Sequence, residues 1–452
     1  MLRSFRLGNH RSIWDEQELL LLPAYDKRRA VLPVVAIYGA NAAGKSNFLD
    51  GLQFMVRAVT ESFDGWQPLD GVPRRPFRLD PRAAEEASTF VVELLLGGIR
   101  YTYGFQVDNE MVVEEWLFSY PEKRRRIVFE RRGEELRFGS TVPTQRGKTE
   151  VLEDLLRPNA LFLSLAAKAN LDPLLPVYEW FLRGVSFRGP GRAQSTEYTA
   201  VKFIDGSPQR QRLLVELLQL ADLGITDVLV LREEDPTWRE MGWRVEQELA
   251  MLQDRRDAGG QNESQQSLFE DLEQQLRARA RMYSRPRYRR RLLFAHGPGA
   301  LFDLGEESKG TQGWLSLLPV ALTCLEEGST LVVDEIDSSL HPRLTARLVA
   351  LFRDQVTNPK GAQLLFNTHD TSLLSPVLGE EVLKRDEVWF VEKNDSGASV
   401  LFPLTEFKPR AGENAERRYL GGSYGAIPNI LAEDFVEAVR SSGLFGGADG
   451  QA

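Results

Sequence analysis

A glycine-rich stretch near the start of the chain has the residue types and spacing that bind a polyphosphate. Residues 39–46 follow the pattern G-x-x-x-x-G-K-S, directly after the apolar run 34–38. A strand, a glycine loop and a helix in this order point backbone N–H groups and the positive helix end at an anion. Lys45 is expected to reach the β- and γ-phosphates and Ser46 to hold Mg²⁺. The candidate nucleotide-binding residues are Gly39, Asn41, Ala42, Ala43, Gly44, Lys45, Ser46 and Asn47.

An acidic pair much later in the chain supplies the second half of such a site. Residues 331–335 read L-V-V-D-E, an apolar run that ends in two carboxylates. A buried strand that delivers an Asp to its end is the usual way to orient the Mg²⁺ shell, which makes Asp334 the candidate metal residue. Glu335 is the candidate catalytic residue that polarises the attacking water. A strand that ends in a solvated acidic turn is the alternative, and the glycine loop upstream argues against it.

Three shorter motifs stand in a fixed order around this acidic pair. Residues 307–311 read E-S-K-G-T, residues 337–341 read D-S-S-L-H, and residues 364–370 read L-L-F-N-T-H-D beyond a predicted helix. The order of glycine loop, S-x-G, D-E, serine-rich loop and strand ending in histidine resembles that of the ATP-binding-cassette (ABC) ATPases. Within that family it resembles the branch of SMC and OLD proteins rather than the transporters.

The resemblance implies a role for each motif. Ser308 and Gly310 would form the signature that contacts the γ-phosphate of an opposite subunit. Asp337 to Leu340 would be the D-loop, with Asp337 a nucleotide-site residue, and His369 would be the catalytic switch histidine. ATP and Mg²⁺ are the implied cofactors. Because such a site is shared between two chains, the resemblance also implies a homodimer or a higher oligomer.

Both ends of the chain narrow the resemblance further. Residues 418–428 read R-Y-L-G-G-S-Y-G-A-I-P, similar to the Y-L-x-G-x-Y-G-A-I-P ending of a bacterial group of stand-alone ATPases. Residues 5–12 resemble their N-F-R-S first strand, with His10 in place of Phe. Such ATPases, like the AriA component of PARIS and those encoded beside RloB-type Toprim proteins, belong to phage-defence systems. One departure is the Q-loop, since residues 161–164 lie about where it would fall and contain no glutamine.

This resemblance implies an ABC-type ATPase that controls a separate effector in antiphage defence. The expected partners are a Toprim-type nuclease encoded by a neighbouring gene and a phage-derived trigger. Residues 391–395 superficially resemble the start of a Toprim domain, but no D-x-D follows, so we expect the nuclease to be a separate protein. The insertion and residues 419–428 are the expected contact surfaces. The alternative is an SMC-like ATPase that acts directly on DNA in repair or recombination. The net charge of −9 disfavours it, although basic runs at 123–126 and 285–291 leave nucleic-acid binding open.

The apolar pattern predicts an α/β fold. We expect an ABC-type P-loop ATPase head with a mixed sheet and an N-terminal antiparallel β subdomain, interrupted by a mostly helical insertion. Alternating residues in 90–96 and 101–107, joined through Gly97 and Gly98, predict a β-hairpin. The expected domains are 1–164 (first half of the head with the P-loop and β meander), 165–290 (insertion), 291–409 (second half of the head) and 410–452 (C-terminal segment with a flexible tail).

Composition predicts a cytoplasmic protein without a membrane partner. The single cysteine, Cys324, rules out a disulfide framework. No apolar run approaches the roughly 20 residues of a membrane span, and the N-terminus lacks a signal-peptide pattern. Four histidines and one cysteine are scattered without the spacing of a zinc site.

Overall fold

The chain forms two compact units in a computed structural model. The structure describes residues 1–140, 146–189, 193–257, 263–285, 287–338, 340–375, 381–408, 414–428 and 432–442. The first unit combines residues 1–191 with 320–452, and the second comprises residues 192–319. Most of the expected flexible tail, residues 443–452, lies outside the described residues.

Strands and helices alternate along most of the chain. The strands are β1 Leu2–Gly8, β2 Gln17–Leu20, β3 Val34–Gly39, β4 Ser88–Leu96, β5 Ile99–Val107, β6 Val112–Tyr120, β7 Arg126–Arg132, β8 Glu135–Phe138, β9 Val185–Arg188, β10 Ile225–Glu234, β11 Tyr288–His296, β12 Ala300–Asp303, β13 Thr330–Val333, β14 Gln363–Asn367, β15 Val388–Lys393 and β16 Ser399–Pro403. The helices are α1 Lys45–Gly65, α2 Arg146–Leu155, α3 Phe162–Lys168, α4 Leu175–Arg183, α5 Ala193–Ile204, α6 Pro208–Leu220, α7 Pro236–Asp257, α8 Glu263–Tyr283, α9 Lys309–Glu327, α10 Pro342–Arg353, α11 Ala415–Leu420 and α12 Ala432–Ser441.

An antiparallel sheet dominates the N-terminal part of the first unit. Its described strands follow the order β2-β1-β4-β5-β6-β7-β8. The β4–β5 hairpin turns through Gly97 and Gly98, whose φ angles of 56° and 81° suit a tight two-residue turn. Alternating apolar residues on β4 and β5 bury one face of this sheet in a core that includes side chains of α1, α3 and α4. The predicted antiparallel β subdomain is confirmed.

A mixed sheet carries the glycine loop. Its described strands follow the order β16-β15-β3-β14-β13-β9, with β16 antiparallel to β15 and the remaining neighbours parallel. Every residue of β3, β13 and β14 is buried, which explains their continuous apolar sequence. Because parallel strands end at the same edge, the residues after β3, β14 and β13 lie side by side. The predicted α/β fold with a mixed sheet is confirmed.

The second unit contains helices and a small sheet. Its described strands form the antiparallel order β10-β11-β12, and α7 and α8 pack as an antiparallel hairpin. The 22 residues of α7 span about 33 Å at 1.5 Å per residue. The unit starts later than the insertion expected at 165–290, because α3 and α4 pack against α1 of the first unit. It also ends later, within α9.

None of the helices in the described parts of the chain is both long enough and apolar enough to cross a membrane.

Candidate nucleotide-binding site

The glycine loop joins the buried strand β3 to the first turn of α1. Gly44 has a φ of 115°, a conformation that residues with a side chain rarely adopt. A Cβ at Gly39 would lie 2.3 Å from the carbonyl oxygen of Val391, so only glycine fits between β3 and β15. Both glycines are therefore positions where the loop needs a residue without a side chain.

Lys45 is the first residue of α1 and is only 6% exposed. Its Nζ donates hydrogen bonds to the carbonyl oxygens of Gly39 at 2.8 Å and Ala40 at 3.1 Å. Burial lowers the pKa of Lys45 to about 8, and the nearby carboxylates of Asp337, Glu335 and Asp334 act in the opposite direction. The lysine charge is thus held by the backbone of its own loop and lies close to the acidic groups.

The acidic pair follows β13, two strands away from β3 across β14. Asp334 and Glu335 are half-buried, and Glu335 has a φ of 54°, which turns the chain sharply after the strand. Asn367, the fully buried last residue of β14, donates from Nδ2 to Asp334 Oδ1 at 2.5 Å and to Ser46 Oγ at 3.4 Å. Its Oδ1 accepts the backbone N–H of Glu335. One amide side chain therefore joins the glycine loop to both acidic residues.

His369 and Asp337 lie beside this pair. The backbone N–H of His369 donates to Asp337 Oδ2 at 3.2 Å, and the imidazole is exposed. Loss of solvent around the ring, and then the charge of Lys45, lower the pKa of His369, while Asp337 and Glu335 oppose the shift. The structure thus brings the switch-histidine candidate and the first D-loop residue to the same edge as Lys45. Ser339 of the expected D-loop lies outside the described residues.

A serine pair from distant parts of the chain supports the loop from behind. Ser399 Oγ, on β16, donates to the carbonyl oxygen of Ala43 at 2.5 Å and lies 2.8 Å from Ser12 Oγ. Ser12 Oγ also accepts a 2.8 Å hydrogen bond from Asn47 Nδ2. Asn47 is therefore a loop-supporting residue, with its side chain directed toward this serine pair.

The opening motif of the chain also holds α1 in place. His10 is fully buried, and its Nε2 lies 2.9 Å from Asp50 Oδ2 on α1. Arg11 contacts the same carboxylate at 2.6 Å. Burial lowers the pKa of His10, and its hydrogen bond to Asp50 opposes that shift. Residues 10 and 11 thus help to position the helix that begins at Lys45.

The C-terminal motif is built around buried aromatic rings. Tyr419 and Tyr424 both stack on Phe390 of β15, with ring centroids 5.3 and 5.6 Å apart. Both tyrosines are buried, as is Ala426. These side chains pack against the sheet that carries the glycine loop, whereas Leu420 of the same segment is exposed. The expectation that 419–428 is a contact surface stays a prediction.

The signature candidates belong to the second compact unit, whereas Lys45 belongs to the first. Ser308 precedes α9, and its Oγ accepts the backbone N–H of Thr311 at 3.1 Å, which caps the helix. Ser308 is exposed and Gly310 is half-buried. The two residues thus stand at the N-terminal end of a 19-residue helix, where backbone N–H groups favour an anion.

The segment expected near the Q-loop lies in the core. Leu161, Phe162, Leu163 and Ser164 are all fully buried at the start of α3. These side chains pack the β subdomain against α1, so the segment has a structural role.

Three arginines of the second basic run are paired within their own unit. Arg289 contacts Glu233 at 2.6 Å, Arg290 pairs with Asp205, and Arg291 contacts Asp303 at 2.9 Å. In the run at 123–126, in the turn between β6 and β7, Arg125 and Arg126 are also ion-paired. Lys123 and Arg124 are exposed and form no ion pair with the described residues, so they are the part of this turn most open to a nucleic-acid phosphate.

The sequence interpretation missed Asn367 and the serine pair. The sequence pattern could have indicated Asn367, because it is a polar residue directly after an apolar run, as Asp334 is. Ser12 and Ser399 carried no such signal, because their contact brings a turn after β1 together with β16 from the opposite end of the chain.

The chain matches one protein-family model and aligns with several solved structures at low identity. A family model described as "AAA domain, putative AbiEii toxin, Type IV TA system" matches residues 34–375. No curated protein matches the chain. Among solved structures, the SMC head domain from Thermotoga maritima aligns at 13% identity, covering 89% of this chain and 98% of that one, with a TM-score of 0.39. An SMC head with an extended coiled coil from Pyrococcus furiosus, bound to the C-terminal domain of ScpA, aligns at 12% identity over 97% and 99%, with a TM-score of 0.34.

Proposed function

This chain belongs to the AAA-domain family named for the AbiEii toxin of type IV toxin–antitoxin systems, and we propose that it is an ABC-type ATPase that hydrolyses ATP to ADP and phosphate. The observation that carries the proposal is the hydrogen-bond link through Asn367, which joins Ser46 of the glycine loop to Asp334 and Glu335. A chance glycine turn and a chance acidic turn would have no reason to share a buried side chain.

The residues present fit ATP and Mg²⁺. The loop leads into the first turn of α1, where backbone N–H groups and the positive helix end favour an anion. Ser46 and Asp334 supply a hydroxyl and a carboxylate oxygen, donors that Mg²⁺ accepts together with phosphate oxygens and water. Bound Mg²⁺ neutralises charge that develops on the β- and γ-phosphates. Ser46 and Asp334 are therefore the proposed metal residues.

The remaining side chains have separate roles in this proposal. Lys45 exchanges its bonds to the Gly39 and Ala40 carbonyls for the β- and γ-phosphates. Glu335 accepts a hydrogen bond from the attacking water and polarises it. His369 and Asp337, at the same edge, would contact the γ-phosphate side of the site. The backbone of 39–47 positions the phosphates.

The active site is proposed to be shared by two copies of the chain. The exposed Ser308 and the half-buried Gly310 at the start of α9 suit contact with the γ-phosphate bound to a partner's Lys45. Two such contacts related by a two-fold axis would bury two nucleotides.

A mixing experiment tests this arrangement. Lys45→Ala and Ser308→Arg chains should each be inactive alone. In a mixed two-fold pair one site carries both lesions and the other carries neither, so ATP hydrolysis should return on mixing. The absence of recovery, despite chain exchange verified with tagged subunits, would indicate a site contained in one chain.

The output of the ATPase is proposed to be control of a separate effector, a Toprim-type nuclease in antiphage defence. The family's link to toxin–antitoxin systems supports a second gene product as partner. Nucleotide-driven closure can act on that partner only if it prefers one nucleotide state. Co-expression with the neighbouring gene should give a complex whose nuclease activity changes with ATP or with a phage-derived trigger. The purified chain alone should leave DNA and RNA intact.

Direct action on DNA is the second candidate, favoured only by the exposed run at 123–126. Tight binding of DNA by the chain alone, lost in a Lys123→Glu, Arg124→Glu variant, would favour this candidate over effector control.

A further inference from the structure

The C-terminal motif reaches the residue that begins the phosphate loop. The Tyr419 ring meets the Tyr38 ring edge-on, with centroids 5.8 Å apart, and Tyr38 directly precedes Gly39. The Tyr38 hydroxyl donates to the carbonyl oxygen of Asp370 at 3.1 Å, next to His369. One buried aromatic contact therefore links residues 414–428 to both the glycine loop and the segment of the switch histidine.

The Tyr419 hydroxyl is bonded to the turn that ends the motif. It donates to the carbonyl oxygen of Ala426 at 3.1 Å. Burial raises the pKa of Tyr419 to about 12, and the Gly39 backbone opposes that shift. The bond to Ala426 thus fixes the ring that meets Tyr38.

That turn is itself tied to the sheet. The Ala426 N–H donates to Glu392 Oε2 on β15 at 3.0 Å, and Ala426 has a φ of 56°. A Cβ at Gly425 would lie 2.5 Å from the same carboxylate oxygen. The glycine in Y-G-A-I-P is therefore required for the close approach that holds the Tyr419 acceptor in place.

A second contact reaches the segment after the switch histidine. Glu416 on α11 accepts a hydrogen bond from the Thr371 hydroxyl at 3.1 Å. Residues 414–428 thus touch the ends of β3 and β15 and the segment after β14, which together form the edge where the nucleotide site lies.

We propose that Tyr419 is a positioning residue for the phosphate loop. Its hydroxyl bond to Ala426 fixes the ring against Tyr38, and that ring contact holds the end of β3 so that the loop accepts a polyphosphate. Residues 414–428 therefore set the affinity of the site for ATP. A partner that displaces this segment therefore changes ATP affinity, and ATP in turn changes the affinity for that partner. This inference rests on the proposed ATPase function.

The motif offers a matched pair of variants for the test. Tyr419→Phe removes only the hydroxyl and keeps the ring in the stack. Tyr424→Phe makes the same change in a tyrosine that stacks on the same Phe390 and whose hydroxyl makes no hydrogen bond with the described residues. Tyr419→Phe should raise the KM for ATP on the order of fivefold and leave kcat within about twofold, while Tyr424→Phe should leave both unchanged.

Melting curves separate positioning from folding. Without nucleotide both variants should melt like the unchanged chain, and ATP should raise the melting temperature less in Tyr419→Phe. Equal KM values in the two variants, or an equal rise in both, would overturn the role of the Tyr419 hydroxyl while the ATPase proposal stands. Failure of the unchanged chain to bind ATP at all would overturn both.

Discussion

The nucleotide site and a cluster inside the β subdomain both keep charged side chains away from solvent, but they satisfy them differently. In the β subdomain, Glu115 is fully buried and accepts the N–H groups of Phe162 at 2.6 Å and Leu163 at 3.0 Å. It also accepts the Tyr103 hydroxyl at 2.9 Å and lies 3.9 Å from Arg131. Burial raises the pKa of Glu115, and the charge of Arg131 opposes the shift. This cluster is closed, because protein groups meet every side of the carboxylate.

The nucleotide site is open by contrast. Within the part of the chain that the structure describes, Lys45 bonds only to backbone carbonyls of its loop. Asp334 and Glu335 are half-buried, and Ser46 is exposed. A buried carboxylate such as Glu115, with a protein partner on every side, holds the fold together. A buried lysine such as Lys45, which bonds to backbone carbonyls and lies near half-buried carboxylates, is available to a ligand. The comparison therefore distinguishes buried charges that stabilise the fold from buried charges that are available for binding.

Removing one charge from each cluster gives the largest expected contrast. Glu115→Ala leaves two N–H groups and the Tyr103 hydroxyl without their acceptor and the buried Arg131 without its opposite charge. The free energy of unfolding should therefore fall by about 3–5 kcal/mol. Lys45→Ala relieves a desolvated charge, so stability should change by about 1 kcal/mol or less while ATP binding is lost. Urea unfolding and ATP-binding assays check both.

If Glu115→Ala does not fold, Glu115→Gln should show a smaller loss of unfolding free energy. A greater loss of unfolding free energy in Lys45→Ala than in the Glu115 variants would contradict the comparison.

Asn367 sharpens the description of the open site. Because it orients Asp334 and the Glu335 backbone, Asn367→Ala should raise the Mg²⁺ concentration needed for half-maximal hydrolysis at least about tenfold. Asn358, another buried asparagine with three hydrogen bonds to Phe352 and Ala362, is the matched control. Asn358→Ala should reduce stability without changing the Mg²⁺ requirement. The same Mg²⁺ requirement in both variants would remove Asn367 from the site.

The smallest expected effect is a pH dependence. Lys45 loses its proton near its lowered pKa of about 8, so ATP affinity should fall by roughly five- to tenfold between pH 7.5 and 9. Lys45→Arg keeps its charge and should show no such fall.

The free energy of unfolding of the unchanged chain, compared with that of Lys45→Ala, should instead rise with pH. Between about pH 8 and 10.5 the unfolded chain holds this proton and the folded chain does not, so unfolding costs more as pH rises. A flat affinity profile in the unchanged chain would contradict the assignment.

Local pattern predicted the parts of the site that lie within one stretch of sequence. The glycine loop, the acidic pair and the β4–β5 hairpin are each encoded by neighbouring residues, and the structure has them at the predicted positions. Asn367, the Ser12–Ser399 pair and the Tyr419–Tyr38 contact depend on which strands are neighbours, which spacing along the chain does not reveal.

The bounds of the insertion also depend on tertiary contacts that local sequence pattern does not reveal. The sequence interpretation placed residues 165–183 in the insertion. Packing on α1 places them in the first unit, and that contact is set by the tertiary fold rather than by helix-forming pattern.

The most direct test of the central claim is ATP turnover by Glu335→Gln beside Glu327→Gln, an exposed carboxylate at the end of α9. Glu335→Gln keeps the size of the side chain but loses the carboxylate that polarises water. It should bind ATP with unchanged affinity and hydrolyse it on the order of 10²-fold more slowly, while Glu327→Gln hydrolyses normally. Undiminished phosphate release by Glu335→Gln would contradict the account, since the acidic pair would then have no part in the chemistry.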